Sequence, residues 1–362
     1  MMHEHEVVLA DGSRFTVAPG ETVLDAALRQ GWALPYGCRG GFCGGCQQRI
    51  QEGEVAYPQG EPPALDPAER LQGAAILCQA EPRSRLRLEW APQPAAGPPA
   101  PRSLSARVAQ IETLAPEVRR IWLELPAGER LPFLAGQYIE VTGRDGRRRA
   151  FSLANPPHAD QRLELHIRRV ADGAFTDHVF ERLQVGERWQ IEGPHGQFYL
   201  REDRQRPVLL VAGGTGFAPC KSILEQAFAA GIERPIELYW GAATAAGLYL
   251  ESWVRAQQRK QANLRYVPVV VEVAAVAPEN SEATSETRQR PERAGRSGQV
   301  HEAVLVDHPR LEDFDIYIAG PPAMIEAARA AFTAHGADKQ RLFYDAFYTS
   351  HTRHASDPSR EP

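Results

Sequence analysis

The stretch Gly37-Cys38-Arg39-Gly40-Gly41-Phe42-Cys43-Gly44-Gly45-Cys46 places three cysteines at the spacing C-x4-C-x2-C, and Cys78 follows after a longer gap. Four thiolates in this order are the ligand pattern of a [2Fe–2S] cluster. The glycines between them permit the positive φ angles with which a loop wraps a small inorganic core and turns N–H groups toward sulfur. We predict that the metal ligands are Cys38, Cys43, Cys46 and Cys78.

A zinc site and disulfide bonds are two other uses of these cysteines, and both fit the sequence less well. Zinc sites usually pair cysteines closely or add histidine, and Cys78 has no such neighbour. Disulfides suit secreted chains, but Met1–Glu6 has neither the basic nor the apolar region of a signal peptide. A reducing, cytoplasmic location is therefore expected. The fifth cysteine, Cys220, is interpreted as a buried packing residue.

The composition is that of an ordinary globular protein. The chain has 362 residues, of which 43% are hydrophobic and 24% charged, enough for two or three domains. Its net charge of -5 argues against nucleic acid as the main partner. No apolar run reaches the roughly 18 residues that a membrane span requires, so no membrane association is expected.

Five prolines between Pro92 and Pro101 predict a semi-rigid linker over residues 93–102. Before it, residues 1–92 combine short alternating strands with a helix over Val23–Gln30, for which Thr22 is a candidate N-cap. This combination predicts an α+β unit with the β-grasp fold of a ferredoxin domain.

Residues 103–203 carry strand signals separated by turns such as Asp145-Gly146, which predict an antiparallel β-barrel. In residues 204–348, continuous apolar strands such as 208–212 alternate with helices, which predicts a parallel α/β sheet. Within it, residues 277–298 have alanine as their only apolar type and eight charges, and we predict a disordered insertion there. The polar tail 349–362 is expected to fray.

A glycine-rich turn, Gly213-Gly214-Thr215-Gly216-Phe217-Ala218-Pro219, follows the first of these strands and opens a helix. A dinucleotide pyrophosphate can approach bare backbone at such a place and lie at the helix N-terminus. The turn is not G-x-G-x-x-G, so an ordinary Rossmann dehydrogenase is disfavoured. A purely structural turn is the alternative.

Arg149-Ala150-Phe151-Ser152-Leu153 resembles the R-x-Y-S flavin motif of the ferredoxin–NADP reductase superfamily, and the 213–219 turn is similar to its nicotinamide loop. Together with the cysteines, the chain resembles the iron–sulfur flavoprotein reductases, most of all the CDP-6-deoxy-glucoseen reductases. The closer likeness lies in Leu134–Tyr138, Ile191–Pro194, Lys221–Ser222, Tyr266–Val270 and Asp345–Phe347.

The resemblance implies roles for particular residues. Arg149 would pair with the flavin pyrophosphate, Phe151 would pack on the flavin and Ser152 would bond its reactive edge. A second pyrophosphate contact at Gly173 and Thr176 favours FAD over FMN. The remaining implied flavin-binding residues are His166 and Arg168. Those implied for the nicotinamide dinucleotide are Gly213, Gly214, Thr215, Gly216, Pro219, Tyr239, Gly241, Gly320 and Pro321. Ser152 and Phe347 are the implied catalytic residues.

Residues 242–246 offer no arginine or lysine for a 2′-phosphate, so we expect NADH rather than NADPH. Ala319 stands where the family has a cysteine, and Phe151 where it has tyrosine. The resemblance implies electron flow from NADH through FAD and the [2Fe–2S] cluster to a partner enzyme, either a sugar dehydrase or an oxygenase (a dioxygenase or monooxygenase). A free flavin reductase and a non-enzymatic redox sensor are alternatives. We expect electrons to leave through an exposed loop at Gly40–Gly45.

Overall fold

The computed structural model describes residues 4–32, 34–37, 39–42, 44–90, 99–202, 205–271 and 296–348. They form three large sheets of five, six and six strands, and a small sheet of two. Each large sheet is built from one consecutive part of the chain. No helix in the described ranges combines the length and the apolar character needed to cross a bilayer.

The first sheet has the order β2-β1-β7-β3-β5, in which β1 pairs with β7 in parallel and with β2 across an antiparallel hairpin. The elements of this part of the chain are β1 (His5–Val8), β2 (Arg14–Val17), α1 (Val23–Arg29), β3 (Gln47–Glu52), β4 (Val55–Ala56), α2 (Pro67–Leu71), β5 (Ala74–Ile76), β6 (Glu81–Pro82) and β7 (Leu86–Leu88). Strands β4 and β6 form the small two-stranded sheet. The predicted cap is present, since the Thr22 hydroxyl accepts a hydrogen bond from the Asp25 N–H at 3.1 Å. Leu24 and Ala27 of α1 are fully buried in the core that this sheet covers, which is the predicted ferredoxin-type β-grasp architecture.

The second sheet is antiparallel, with the order β11-β10-β13-β8-β9-β12. Its elements are β8 (Arg102–Ala115), β9 (Val118–Glu124), β10 (Tyr138–Thr142), β11 (Arg148–Ser152), β12 (Arg162–Arg168), α3 (Ala174–Glu181) and β13 (Arg188–His195). A bridge between Leu153, directly after β11, and Leu165 on β12 joins the two outer strands. The sheet therefore closes into the predicted barrel.

The third sheet is parallel, with the order β17-β16-β15-β14-β18-β19. Its elements are β14 (Val208–Gly213), α4 (Phe217–Ala229), β15 (Ile236–Ala242), α5 (Glu251–Lys260), β16 (Leu264–Val270), β17 (Arg296–Ser297), α6 (Val300–Asp307), β18 (Asp315–Gly320), α7 (Pro322–Ala334) and β19 (Leu342–Ala346). The order reverses at β14, so the crevice beyond the carboxyl ends of β14 and β18 is the expected place for a ligand.

The predicted disordered insertion needs a correction at its end. Residues 277–295 lie outside the described residues, but Arg296 and Ser297 form β17 and pair with β16. Arg296 is held there because its guanidinium donates to the Ala303 carbonyl at 2.8 Å and also bonds Asp307. The expected linker is described only from residue 99 onward, and its last residue, Arg102, is the first of β8. The tail 349–362 lies outside the described residues.

Candidate functional site

Cys46 and Cys78 are the described members of the predicted ligand set, whereas Cys38 and Cys43 lie outside the described residues. Both described cysteines are buried, Cys46 has a free thiol, and the Cys78 N–H donates to Cys46 Sγ at 3.4 Å. Gly41 and Gly44 have φ angles of 84° and 68°, as predicted for this loop. Buried cysteines, with a backbone N–H group directed at the Cys46 sulfur, fit the donor set of an iron–sulfur cluster.

Arg39, in the same loop, anchors it to the barrel. It adopts a φ of 52°, which is uncommon for a residue with a side chain. Its guanidinium lies 2.6 Å from Asp25 of α1 and 3.3 Å from Glu140 of β10. Burial opposes this charge, but the carboxylates of Glu140 and Asp25 outweigh it and raise the pKa of Arg39. Sequence reasoning missed this residue because its partners come from distant segments.

Other contacts hold the loop in the same place. The Tyr138 hydroxyl donates to the Gly37 carbonyl at 3.0 Å, and Tyr36 Oη lies 3.5 Å from His195 Nδ1. The described residues of Gly40–Gly45 are all buried or half-buried rather than exposed. The loop is therefore less exposed than expected, and its role as the exit for electrons stays a prediction.

Glu140, Glu192 and His195 bring ligand-type atoms within 4.8 Å of one another. The Arg39 guanidinium lies between them, 3.3 Å from Glu140 and 3.2 Å from His195 Nε2. Because a guanidinium already supplies the positive charge among these three side chains, they do not indicate a metal site in addition to the iron–sulfur cluster.

Ser152 and Asp345 bring the barrel and the parallel sheet together. Both side chains are buried, and the Ser152 hydroxyl donates to Asp345 Oδ2 at 3.2 Å. Ser152 ends β11, and Asp345 lies on β19 beside Ala319 of β18. The expected catalytic serine thus has an acidic partner that sequence reasoning did not single out. The only signal in the sequence was that Asp345 belongs to the stretch Asp345–Phe347, which resembles the family. That resemblance did not indicate a contact with Ser152.

Arg149 and Phe151 lie on one side of β11, next to Phe175 of α3. Arg149 makes two hydrogen bonds to the Asp145 carboxylate, at 2.9 and 2.6 Å, and its guanidinium lies 5.0 Å from the Phe175 ring centre. The Phe151 ring stacks on the same phenylalanine at 5.5 Å. The hydrogen bond from Arg149 lowers the pKa of Asp145, which is exposed. A phosphate on Arg149 must therefore compete with an ionised carboxylate.

Gly173 and Thr176 lie at the start of α3, as the resemblance implied. Gly173 is the N-cap, and a Cβ at this position would lie 2.6 Å from Thr176 Oγ1. The Thr176 hydroxyl donates to the Gly173 carbonyl at 3.0 Å and contacts Val170. A bare N-cap leaves the N–H groups of this first turn directed outward, where a phosphate can accept from them.

The resemblance implied that His166 lies near the flavin phosphates, but the side chain has other partners. Its ring is buried, with Nδ1 3.0 Å from the Tyr249 hydroxyl and Nε2 3.0 Å from Glu164. Burial lowers the pKa of His166, so it is neutral near pH 7. It belongs to a network in which Lys221 Nζ donates to Glu164 Oε2 at 2.9 Å and to the Ala154 carbonyl at 3.2 Å. This network joins the barrel to α4.

Arg168, two residues further, lies at the edge between the two expected cofactor sites. It is half exposed and pairs with Glu117 at 3.1 Å. A Cβ on Gly214 would lie 3.5 Å from its Nη1. The guanidinium thus reaches the glycine turn after β14.

The glycine turn is packed against the end of β18. A Cβ on Gly216 would overlap the Ala319 carbonyl, and one on Gly320 would lie 2.9 Å from the Gly213 carbonyl. Trp240 supports the turn from the next strand, because its Nε1 donates to the Gly214 carbonyl at 3.0 Å. Close strand packing therefore accounts for Gly213, Gly216 and Gly320, while Gly214, at φ 54°, is the open position of the turn.

The remaining expected dinucleotide residues divide between the crevice and the core. Thr215, in the turn after β14, and Pro321, directly before α7, lie at the rim of the crevice. Pro219 is buried in the first turn of α4. Tyr239 points to the opposite face of the sheet, where its hydroxyl donates to Asp307 at 2.6 Å. Gly241 packs against Val300, with 2.9 Å between a hypothetical Cβ and the valine. Tyr239 does not line the crevice, contrary to the expectation.

Phe347 follows β19, and its N–H donates to the Gly320 carbonyl at 2.9 Å. It is half-buried, at the same edge of the sheet as the glycine turn. The next residue, Tyr348, stacks on Phe42 of the cysteine loop, with ring centres 4.5 Å apart. Sequence reasoning did not single out this pair.

Cys220 is fully buried in α4, as predicted for a packing residue. Burial raises the pKa of its thiol, so it is no reactive thiolate despite its place near a helix start.

Three family models match this chain, one for each large sheet. A 2Fe-2S iron-sulfur cluster binding domain matches residues 8–83, an oxidoreductase FAD-binding domain matches 105–199, and an oxidoreductase NAD-binding domain matches 210–330.

Similar proteins and structures extend over almost the whole chain. Reductase component 1 of terephthalate 1,2-dioxygenase from Comamonas sp is 33% identical, over 96% of this chain and 98% of its own length. The CDP-6-deoxy-L-threo-D-glycero-4-hexulose-3-dehydrase reductase of Yersinia pestis is 34% identical, over 94% and 97%. The crystal structure of the Amycolatopsis cytochrome P450 reductase GcoB is similar with a TM-score of 0.79 at 33% identity, over 95% of this chain and 98% of that one.

Proposed function

Because this chain belongs to the iron–sulfur flavoprotein reductases, which join a [2Fe–2S] domain to FAD- and NAD-binding domains, we propose that it is the NADH-dependent reductase component of a larger enzyme system. The observation that carries the proposal is the contact of all three units at one place: Ser152 with Asp345, and Phe42 with Tyr348. When bound, the cofactors would supply the conversion of a hydride, which carries two electrons with one proton, into electrons passed on singly.

The cluster ligands in this proposal are Cys38, Cys43, Cys46 and Cys78. The burial of Cys46 and Cys78 supports it, together with the N–H group directed at Cys46 Sγ. Gly41 and Gly44 allow the loop to bend around the site without side-chain hindrance.

For FAD, Arg149 and the N-terminus of α3 would hold the pyrophosphate, and Phe151 would present an apolar surface to the flavin. Release of Arg149 from Asp145 is the local change that this requires. We propose that Asp345 orients the Ser152 hydroxyl, because the proton on Oγ points to its Oδ2. The hydroxyl is then held for the reacting edge of the flavin rather than free to rotate.

For the nicotinamide dinucleotide, the open side of Gly214 and the N-terminus of α4 would receive the pyrophosphate, with Arg168 beside them. Phe347 would close the crevice from the edge of β19. Residues 243–246 after β15 are exposed and carry no positive charge, which supports NADH as the donor.

We further propose a cytoplasmic location, since thiols that hold such a cluster suit a reducing compartment. The proposed domain boundaries are 1–92, 103–203 and 204–348, with the linker 93–102 between the first two.

The partner is proposed as the terminal component of an oxygenase or of a sugar dehydrase. Reductases of both kinds are equally similar to this chain, at 33% and 34% identity. Purified, reconstituted protein should be mixed with NADH and, in separate reactions, with the oxygenase component of an aromatic-ring dioxygenase, a monooxygenase and a hexulose 3-dehydrase. Product formation in one of them identifies the partner class.

The same assay separates the alternatives. Full turnover on free flavin with no gain from any added component would favour a free flavin reductase. Negligible oxidation of NADH by a fully loaded protein would favour a redox sensor and contradict the proposal.

A further inference from the structure

We propose that Tyr348 is a positioning residue: by stacking on Phe42 it holds the cysteine loop against the flavin site and thereby sets the rate of electron transfer inside the chain. The inference rests on the proposed ligand and flavin residues. It gives a function to Phe42 and Tyr348, which are not among those residues.

The stack joins two units of the protein. The rings of Phe42 and Tyr348 are 4.5 Å apart at their centres and inclined by 27°. Such an offset pair is attractive beyond the apolar area it buries. Phe42 belongs to the first unit and Tyr348 follows the last strand of the third, so the contact joins two units that are far apart in the sequence.

Both rings are directly linked to residues of the proposed site. Phe42 immediately precedes Cys43, a proposed cluster ligand. Tyr348 is three residues after Asp345, the partner of Ser152. Its backbone is fixed as well, since the Phe347 N–H continues the ladder to β18 through the Gly320 carbonyl at 2.9 Å. A displacement of either ring therefore moves the cysteine loop relative to the serine.

The loop is held at two points. Arg39 and Tyr138 fix its first half to the barrel, through Glu140 and the Gly37 carbonyl. Tyr348 fixes its second half to the parallel sheet. Arg39 follows one proposed ligand and Phe42 precedes the next, so both points flank the cluster. Electron transfer slows steeply with the distance between two centres. Loss of one of these two contacts should therefore slow electron transfer from the flavin to the cluster, and not the reduction of the flavin.

The test compares Tyr348→Ala with Tyr348→Phe, which keeps the ring. Under anaerobic conditions, NADH is mixed with each protein in a stopped-flow instrument, and the flavin and iron–sulfur absorbance bands are followed separately. We expect Tyr348→Ala to reduce flavin at the wild-type rate but the cluster about tenfold more slowly or worse. Tyr348→Phe should restore the cluster rate.

Hydrogen exchange and a variant at Phe42 test the same contact in two further ways. Hydrogen exchange of the amides of residues 39–42 should rise in Tyr348→Ala and not in Tyr348→Phe, whether or not cofactors are retained. Phe42→Leu, which alters the other ring, should reproduce the slow cluster reduction. Unchanged exchange with an unchanged cluster rate in Tyr348→Ala overturns the inference, and so does a Tyr348→Phe protein as slow as Tyr348→Ala. Failure of the proposed function looks different, because wild-type protein would then show no NADH-driven bleaching at all.

Discussion

Ser152 donates a hydrogen bond to Asp345 across 193 positions of the sequence, at 3.2 Å. The serine ends a barrel strand and the aspartate lies on an outer strand of the parallel sheet. Two units that each have their own core therefore share one polar contact at the place where hydride transfer is proposed. Both side chains are buried, so solvent competes little for this bond.

We expect Asp345→Asn to slow flavin reduction by NADH by roughly 10- to 100-fold, since a hydrogen bond to a charged group contributes about 1.5–3 kcal/mol. The amide keeps the shape but loses the charge that orients the Ser152 hydroxyl. Stopped-flow reduction of the bound flavin measures the effect. Asp313→Asn, at an 85% exposed side chain, is the matched control. Equal rates in both variants would remove Asp345 from the proposed site.

Arg39→Gln should loosen the cysteine loop. It removes the half-buried cation that joins Asp25 to Glu140, while Glu140 and Glu192 keep the exposed Arg148, and we expect about 1–3 kcal/mol of destabilisation. The side chain is only 15% exposed, so little solvent screening reduces the effect. Thermal loss of the cluster absorbance, compared with the exposed Arg259→Gln, is the measurement. A midpoint equal to that of the control would mean that the loop is held by other contacts.

Lys221→Met should destabilise the junction between barrel and α4, because Glu164 remains buried without its ammonium partner; such losses cost about 3–5 kcal/mol. Lys260→Met, at an exposed position, is the control. Denaturant unfolding of the apoprotein measures the difference. Similar stability of the two variants would show that His166 and Arg120, whose guanidinium lies 3.5 Å from Glu164, satisfy the carboxylate without Lys221.

The same network predicts that the free energy of unfolding falls in acid. Burial opposes ionisation of Glu164, but the bond with His166 and the charge of Lys221 outweigh it and lower its pKa to about 2, from 4.5. Between these values the unfolded chain binds the proton more readily, so stability present above about pH 4.5 is lost as the pH falls toward 2. In Lys221→Met the folded-state pKa of Glu164 rises toward the unfolded value, so this loss should be smaller and should end at a higher pH. Unfolding free energies measured from pH 7 downward test it, and an unchanged pH dependence would contradict it.

Cys43→Ser should abolish electron delivery to a protein acceptor while NADH-driven ferricyanide reduction continues, because the flavin site lacks this thiol. Cys220→Ala, at the buried cysteine outside the ligand set, should keep the iron–sulfur spectrum. Visible absorbance and the two acceptor assays check both variants. Loss of both activities with flavin still bound would contradict the proposed order of electron flow.

Ala243→Arg should improve the use of NADPH by about tenfold in kcat/KM, since a charged hydrogen bond to a 2′-phosphate contributes roughly 1.5–3 kcal/mol. Ala243 is exposed directly after β15. Ala230→Arg adds the same charge at an exposed position after α4 and should change little. No gain for NADPH would place the adenosine end elsewhere.

Local patterns carried most of what could be predicted. The Thr22 cap and the apolar strand before Gly213 both formed as expected, because each depends on neighbours in sequence. Arg296 did not follow its local composition. Its polar neighbourhood predicted disorder, but Asp307 and the Ala303 carbonyl hold it in a strand.

Side-chain direction was the main source of error at the site. Tyr239 and Trp240 are adjacent on β15, so they point to opposite faces of the sheet. Trp240 reaches the glycine turn and Tyr239 reaches Asp307, which the sequence alone does not determine. His166 was placed near phosphate by resemblance, but the docking of α4 and Tyr249 encloses its ring.

The order and spacing of cysteines, glycines and strand types by themselves determined the three architectures and the chemistry expected of each, because a ligand set or a tight turn is encoded over a few consecutive residues. Only the tertiary structure decided that Ser152 meets Asp345, that Arg39 enters the barrel's acidic group and that Phe42 stacks on Tyr348. These contacts depend on how three separately packed units rest on one another, and no local pattern of residues specifies that.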